Sequence, residues 1–112
     1  MTENDLDWDR LTGPELARIL AALANPHRMR IVQALVGGRV HVSQLARDVG
    51  LSRPLVHMHL QRLERAGLVA GTLELSADGK AMKYFEVVPF AVRLTPDLVA
   101  EAAKTIEQEE DE

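Results

Sequence analysis

The stretch from Val42 to Leu60, VSQLARDVGLSRPLVHMHL, leaves this chain few ways to fold. Two short helical patterns meet there at a glycine. Leu45, Ala46 and Val49 make the apolar side of the first, which runs from about Val42 to Val49 and stops at Gly50. Ser52 is a favourable N-cap for the second, and Pro54 in its first turn removes no needed hydrogen bond. Ala46 is small where the two helices must cross closely, and Val56 returns an apolar contact to the first helix. Such a pair is held at a fixed steep angle with its second helix exposed.

The flanking segments build a small domain around this pair. Gly13-Pro14 opens a helix whose apolar side is Leu16, Ile19, Leu20 and Leu23, and Asn25-Pro26 breaks it. A second helix carries Met29, Ile31, Val32 and Leu35 and stops at Gly37-Gly38. The fourth helix runs to about Ala66 and ends at Gly67. The period then changes. LVAGTLEL and KYFEVV flank SADGKAM, whose Asp78-Gly79 signals a hairpin turn. Pro89 ends the second strand, and Thr95-Pro96 starts a last helix. On it Leu98, Ala102 and Ile106 form one thin apolar stripe, suited to a seam against another helix. The expected fold is mainly α with a small β-hairpin wing, in the order α-α-α-α-β-β-α. Residues 1–12 read as an acidic arm, 13–94 as the domain, and 95–112 as a C-terminal helix with an acidic tail. A length of 112 residues suits one core, and small size favours oligomerisation.

Charge is unevenly spread. The net charge is −4, yet residues 26–65 carry seven arginines against Asp48 and Glu64. Residues 1–25 have a net charge of −3 and residues 66–112 a net charge of −6. A basic middle between acidic ends fits one surface for phosphates and others kept off them, or simply a solvated helix face. The absence of cysteine excludes disulfides, thiolate metal sites and cysteine nucleophiles. No nucleophile–base pair, phosphate loop or HExxH motif is present, so an enzyme is not expected. The acidic start is no secretory signal and no apolar run matches a bilayer, so a cytoplasmic protein without membrane contact is expected.

At about 100° per residue the fourth helix divides into two sides. Val56, His59, Leu60 and Leu63 face inward, which makes His59 a packed, hydrogen-bonded histidine. Pro54, His57, Met58, Gln61 and Arg65 face outward, with no acid until Glu64 at the edge. An exposed helix of this kind fits a major groove, its N-terminal residues closest to the bases. Arg53 in its first turn is a candidate contact. Arg47, Arg62 and Arg65 read as backbone contacts or solvated charges, and Lys80 at the hairpin tip as a phosphate or minor-groove contact. Trp8 reads as a packing residue for the arm.

With these residues in place the chain resembles the ArsR/SmtB family of bacterial regulators over roughly residues 15–90. The resemblance rests on LAALANPHRMRIVQAL, on LARDVGLSRPLVHMHLQRLERAGLV and on a wing ending in KYFEV. It implies a sequence-specific DNA-binding transcriptional regulator that meets a two-fold operator as a homodimer built on the first and last helices. Leu16, Ile19, Leu20, Leu98, Ala102 and Ile106 would form that interface. Recognition helices would enter successive major grooves, with wings near the minor groove. Ser52, Arg53, His57 and Gln61 would read DNA, and Lys80 and Lys83 would serve the wing. His57-Met58 departs from the family pattern, which often has Ser followed by Arg or Lys there.

Many members of that family release DNA on binding a metal. The last helix has Asp97, Glu101 and Glu107 but no histidine, so the family's site on that helix cannot be carried over. His57 and His59 point to different sides of one helix and cannot chelate together. His41, near the start of the third helix, is the candidate ligand for regulatory nickel or zinc, against the plain reading of four unrelated histidines, and no cofactor is required. Control by a partner protein, a small molecule or expression level alone also stays open. A second functional class also stays open: a winged-helix protein-interaction module without DNA binding of its own, to which the overall acidity and Met58 point.

Overall fold

The computed structural model describes residues 6–110, with side chains through Ile106. The first five residues of the acidic arm and the charges of the tail from Glu107 onward lie outside what is described. Helix α1 spans Gly13–Leu23, α2 Pro26–Leu35, α3 Val42–Val49, α4 Arg53–Arg65 and α5 Pro96–Glu110. Strands β1, β2 and β3 span Val40–His41, Val69–Leu75 and Ala81–Val87.

Local signals set the boundaries. Thr12 and Glu15 form a capping box at α1: the Thr12 hydroxyl accepts from the Glu15 amide at 3.2 Å, and the Glu15 carboxylate accepts from the Thr12 amide at 2.9 Å. The Asn25 side chain accepts from the amides of His27 and Arg28 at the start of α2. Gly50 sits at φ 71° and ψ 31°, and the Ala46 carbonyl accepts from both the Gly50 and Leu51 amides. A Cβ at Gly50 would meet nothing within 4 Å, so backbone conformation rather than crowding calls for glycine there.

The expected hairpin is present, and the structure adds a strand that the sequence reading lacked. The sheet has three strands in the order β1-β3-β2, all antiparallel. Val40 pairs with Phe85 and His41 with Tyr84, so β1 anchors the wing to the body of the domain. Two residues carry no period of their own; β1 is a strand only because β3 supplies its partners.

One core joins all five helices to the base of the sheet. Ile31, Leu45, Val56, Leu60, Leu63 and Leu68 are fully buried in it. Helix α5 joins through Ala102, packed against α1 within the same protomer. The approach is close: a Cβ at Gly13 would run into Ile106 and stand 2.8 Å from the Ala102 carbonyl oxygen. The Gly13 amide also donates to the Thr105 hydroxyl at 2.7 Å. Trp8 packs its ring 6.1 Å from that of Phe90, the packing role expected for the arm. Among the described residues no helix is long and apolar enough to cross a membrane.

Candidate nucleic-acid interface

Helix α4 presents its sides as the wheel predicts. Val56, His59, Leu60 and Leu63 are buried, while Arg53, Pro54, His57, Met58, Gln61, Arg62 and Arg65 are exposed. Thirteen residues at about 1.5 Å each make a rod roughly 20 Å long, enough to lie along a groove. Ser52 caps it, its hydroxyl accepting from the Leu55 amide at 3.4 Å. The side chains of Arg53, His57, Gln61 and Arg65 form no hydrogen bond or ion pair with any described residue. Their donors are therefore free for an outside acceptor.

Arg47 sits on α3, exposed and oriented by its own helix. It donates to the Gln44 side-chain carbonyl at 2.8 Å, and the Gln44 amide group donates to Asp48 at 2.7 Å. Gln44 was not singled out by the sequence reading; its i, i+3 and i, i+4 spacing to Arg47 and Asp48 was the available signal.

The wing is less basic than its lysines suggest. Lys80 and Lys83 are exposed as expected, and Lys83 lies 5.4 Å from the Phe85 ring centre. Asp78 shares the turn with Lys80, and the Ser76 hydroxyl and Lys80 amide hold its carboxyl below the usual carboxylate range. Arg39 and Glu74 form a bidentate ion pair, with Arg39 stacked 4.4 Å above Tyr84. This clamp ties Arg39 to the end of β2 next to the hairpin turn and pairs its charge with that of Glu74. It spans 35 residues and left no local trace in the sequence.

The expected dimer residues divide. Leu16, Ile19 and Ala102 are buried inside the protomer, Leu98 is half-buried, and Leu20 and Ile106 are exposed. Leu94 and Val99 add to the exposed apolar surface near them in sequence.

His41 caps α3, its Nδ1 accepting from the Gln44 amide at 3.3 Å. A metal at His41 would be left with Nε2, and among the described residues no three or more His, Cys, Asp or Glu come together to hold one. His59, as expected, is packed and hydrogen-bonded, with Arg28 Nη1 3.2 Å from its Nδ1. Arg28 also donates to the Ala22 carbonyl at 2.7 Å and the Ala21 carbonyl at 3.4 Å, capping the C-terminus of α1. Arg28, like Gln44, Arg39 and Glu74, was missed by sequence reasoning.

A helix-turn-helix domain family matches residues 23–72, which contain α2 to α4. The regulator CmtR of Mycobacterium tuberculosis is 44% identical over 69 residues, 62% of this chain and 55% of CmtR. The chain thus spans about half the length of that relative. The crystal structure of NolR from Sinorhizobium fredii superposes with a TM-score of 0.55 at 26% identity, covering 85% of this chain and 84% of NolR. The solution structure of a homodimeric winged helix-turn-helix domain from Mycobacterium bovis, a possible ArsR-family regulator, gives a TM-score of 0.60. It is 23% identical, covers 88% of this chain and 81% of that one, and speaks for the fold. By its matched domain and its architecture, the chain has a winged helix-turn-helix fold, and it is similar in sequence to bacterial helix-turn-helix transcriptional regulators.

Proposed function

We propose that this chain is a sequence-specific transcriptional regulator that binds double-stranded DNA as a homodimer. One observation carries the reading: the outer side of α4 is bare, and Arg53, His57, Gln61 and Arg65 on it have no partner among the described residues. Arg53 and His57, nearest the N-terminus of α4, would meet base edges or flanking phosphates, with Ser52, Pro54, Met58 and Gln61 beside them. Arg47, Arg62 and Arg65 would meet the backbone, and Lys80 and Lys83 would approach the flanking minor groove.

The homodimer follows from what α1 and α5 leave uncovered. Leu20, Leu94, Val99 and Ile106 are exposed apolar side chains, and a second copy would bury them about a two-fold axis. The Mycobacterium bovis neighbour is itself homodimeric. Two recognition helices so related would read half-sites about 34 Å apart. The work is binding in the cytoplasm, not catalysis.

The test uses a labelled duplex taken from upstream of the protein's own coding sequence, titrated at 50 mM and 200 mM salt. Affinity should drop steeply, by about tenfold or more, at the higher salt. The second reading, a protein-interaction module, is favoured by Leu55 and Met58, exposed apolar residues on α4. It requires weak binding that salt leaves unchanged, and that result would discard the DNA reading.

A further inference from the structure

His59 stands where α1, α2 and α4 meet, and it is 6% exposed. Its chemical state there is fixed by its neighbour. A guanidinium only donates, so the contact of Arg28 Nη1 with His59 Nδ1 requires a lone pair on Nδ1. The histidine must be neutral, with its proton on Nε2. The same guanidinium holds the Ala21 and Ala22 carbonyls at the end of α1. One arginine of α2 therefore ties the end of α1 to the middle of α4.

The groups around the ring are all of one sign. From α2 come Arg28 and His27, whose ring centre lies 5.7 Å away; from α4 itself comes Arg62. At the end of α1, Arg28 holds the Ala21 and Ala22 carbonyls. Among the described residues no carboxylate contributes to the shift of the ring. Burial first, then Arg28, His27 and Arg62, lower the affinity of His59 for a proton.

We propose that Arg28 and His59 are positioning residues for α4, and that their contact is an acid-sensitive latch on DNA binding. The inference rests on the reading of α4 as the DNA-contacting helix. A proton arriving at Nδ1 removes the acceptor, breaks the contact with Arg28 and sets two cations face to face. The middle of α4 is then pushed from the α1–α2 corner, and its outer side loses its fixed presentation. A fall in affinity on acidification that His59→Asn abolishes is the signature of the buried histidine.

The experiment compares the wild type with His59→Asn at constant ionic strength, at pH 7.5 and 5.5, with the same upstream duplex. The asparagine Oδ1 takes the place of Nδ1 as acceptor and does not titrate. Wild-type affinity should fall once pH passes below the lowered proton affinity of His59, by up to about tenfold for each further pH unit. The Asn variant should hold its pH 7.5 affinity. A wild type whose affinity rises or stays level, or a variant that loses as much as the wild type, overturns the latch. Imidazole nitrogen shifts and amide exchange of wild-type α4, read without DNA, give a second arm. His59 should show the Nε2–H tautomer at pH 7.5, and α4 protection should fall as that signal titrates. Protection that does not follow His59 overturns the latch even if the Asn variant fails to fold. Absence of duplex binding at pH 7.5 would instead remove the DNA reading, and the exchange arm would still judge the contact.

Discussion

Arg53 and His59 are six positions apart on one helix and have opposite fates. Arg53 is exposed and without an ion pair, so its removal leaves nothing unsatisfied in the protomer. Arg53→Ala should weaken duplex binding by about 1–3 kcal/mol. Its urea midpoint should stay close to wild type, within about 0.5 kcal/mol. Equal affinity of variant and wild type would show that the reading side of α4 is wrongly assigned. For His59 the linkage sign is as follows. Its proton affinity is lower in the folded protein than in the unfolded chain, so the unfolded chain takes up the proton first. Stability is full above the unfolded value of 6.5 and declines as pH falls through the gap to the lowered folded value. Urea midpoints of the wild type should therefore drop between pH 7 and 5, while those of His59→Asn should drop less. The inward placement of His59 was legible because a helix repeats every 3.6 residues, and Val56, Leu60 and Leu63 fix its buried side. Its partner was not legible. Arg28 lies 31 residues away and meets His59 only through the packing of α2 on α4.

Elements were legible where they carry their own punctuation. Gly13-Pro14, Asn25-Pro26, Gly50 and Thr95-Pro96 each mark a boundary by local chemistry, and the helices begin and end there. Strand β1 has no such mark and exists through its pairing with Phe85 and Tyr84. The α5 stripe was legible as a seam, but sequence could not say against which helix. The structure seats Ala102 on α1 of its own protomer and leaves Ile106 part open, where the proposed second copy would pack. Gly13 sets the closeness of that seating. Gly13→Val would force branched carbons against Ile106 and the Ala102 carbonyl, where a Cβ already stands 2.8 Å from the oxygen. Loss of about 1–3 kcal/mol is expected in urea unfolding. The variant should also expose α5 to limited proteolysis before α3 and α4. Unchanged stability would mean that α1 and α5 can part without penalty. At the turn, Gly50→Ala meets no neighbour and pays only for its left-handed backbone, about 1–2 kcal/mol.

At the scale of the whole molecule, charge and symmetry have to agree. The acidic ends and basic middle were plain in the sequence, and the fold gathers Arg53 and Arg65 on one exposed helix with Arg47 on the neighbouring one. Only two ion pairs occur among the described residues, Arg39–Glu74 and Lys104–Glu101, and neither involves these arginines. On the proposed function a single protomer would nevertheless offer one short rod to the duplex. Joining two makes the second contact intramolecular, which raises affinity by about 10²–10⁴ without any new kind of contact. Leu20 is the cleanest place to separate dimerisation from folding. It is 41% exposed on α1, whereas its neighbours Leu16 and Ile19 belong to the protomer core. Leu20→Glu should give a folded monomer by sedimentation, with helix content unchanged and Arg53 still in place. Duplex affinity should then fall by about a hundredfold or more, and the half-site should be bound no worse than the full site. A variant that stays dimeric would move the two-fold axis away from this side of α1. A monomer that binds the full site as tightly as wild type would show that one α4 suffices, and that the exposed apolar surface of α1 and α5 serves something other than DNA binding.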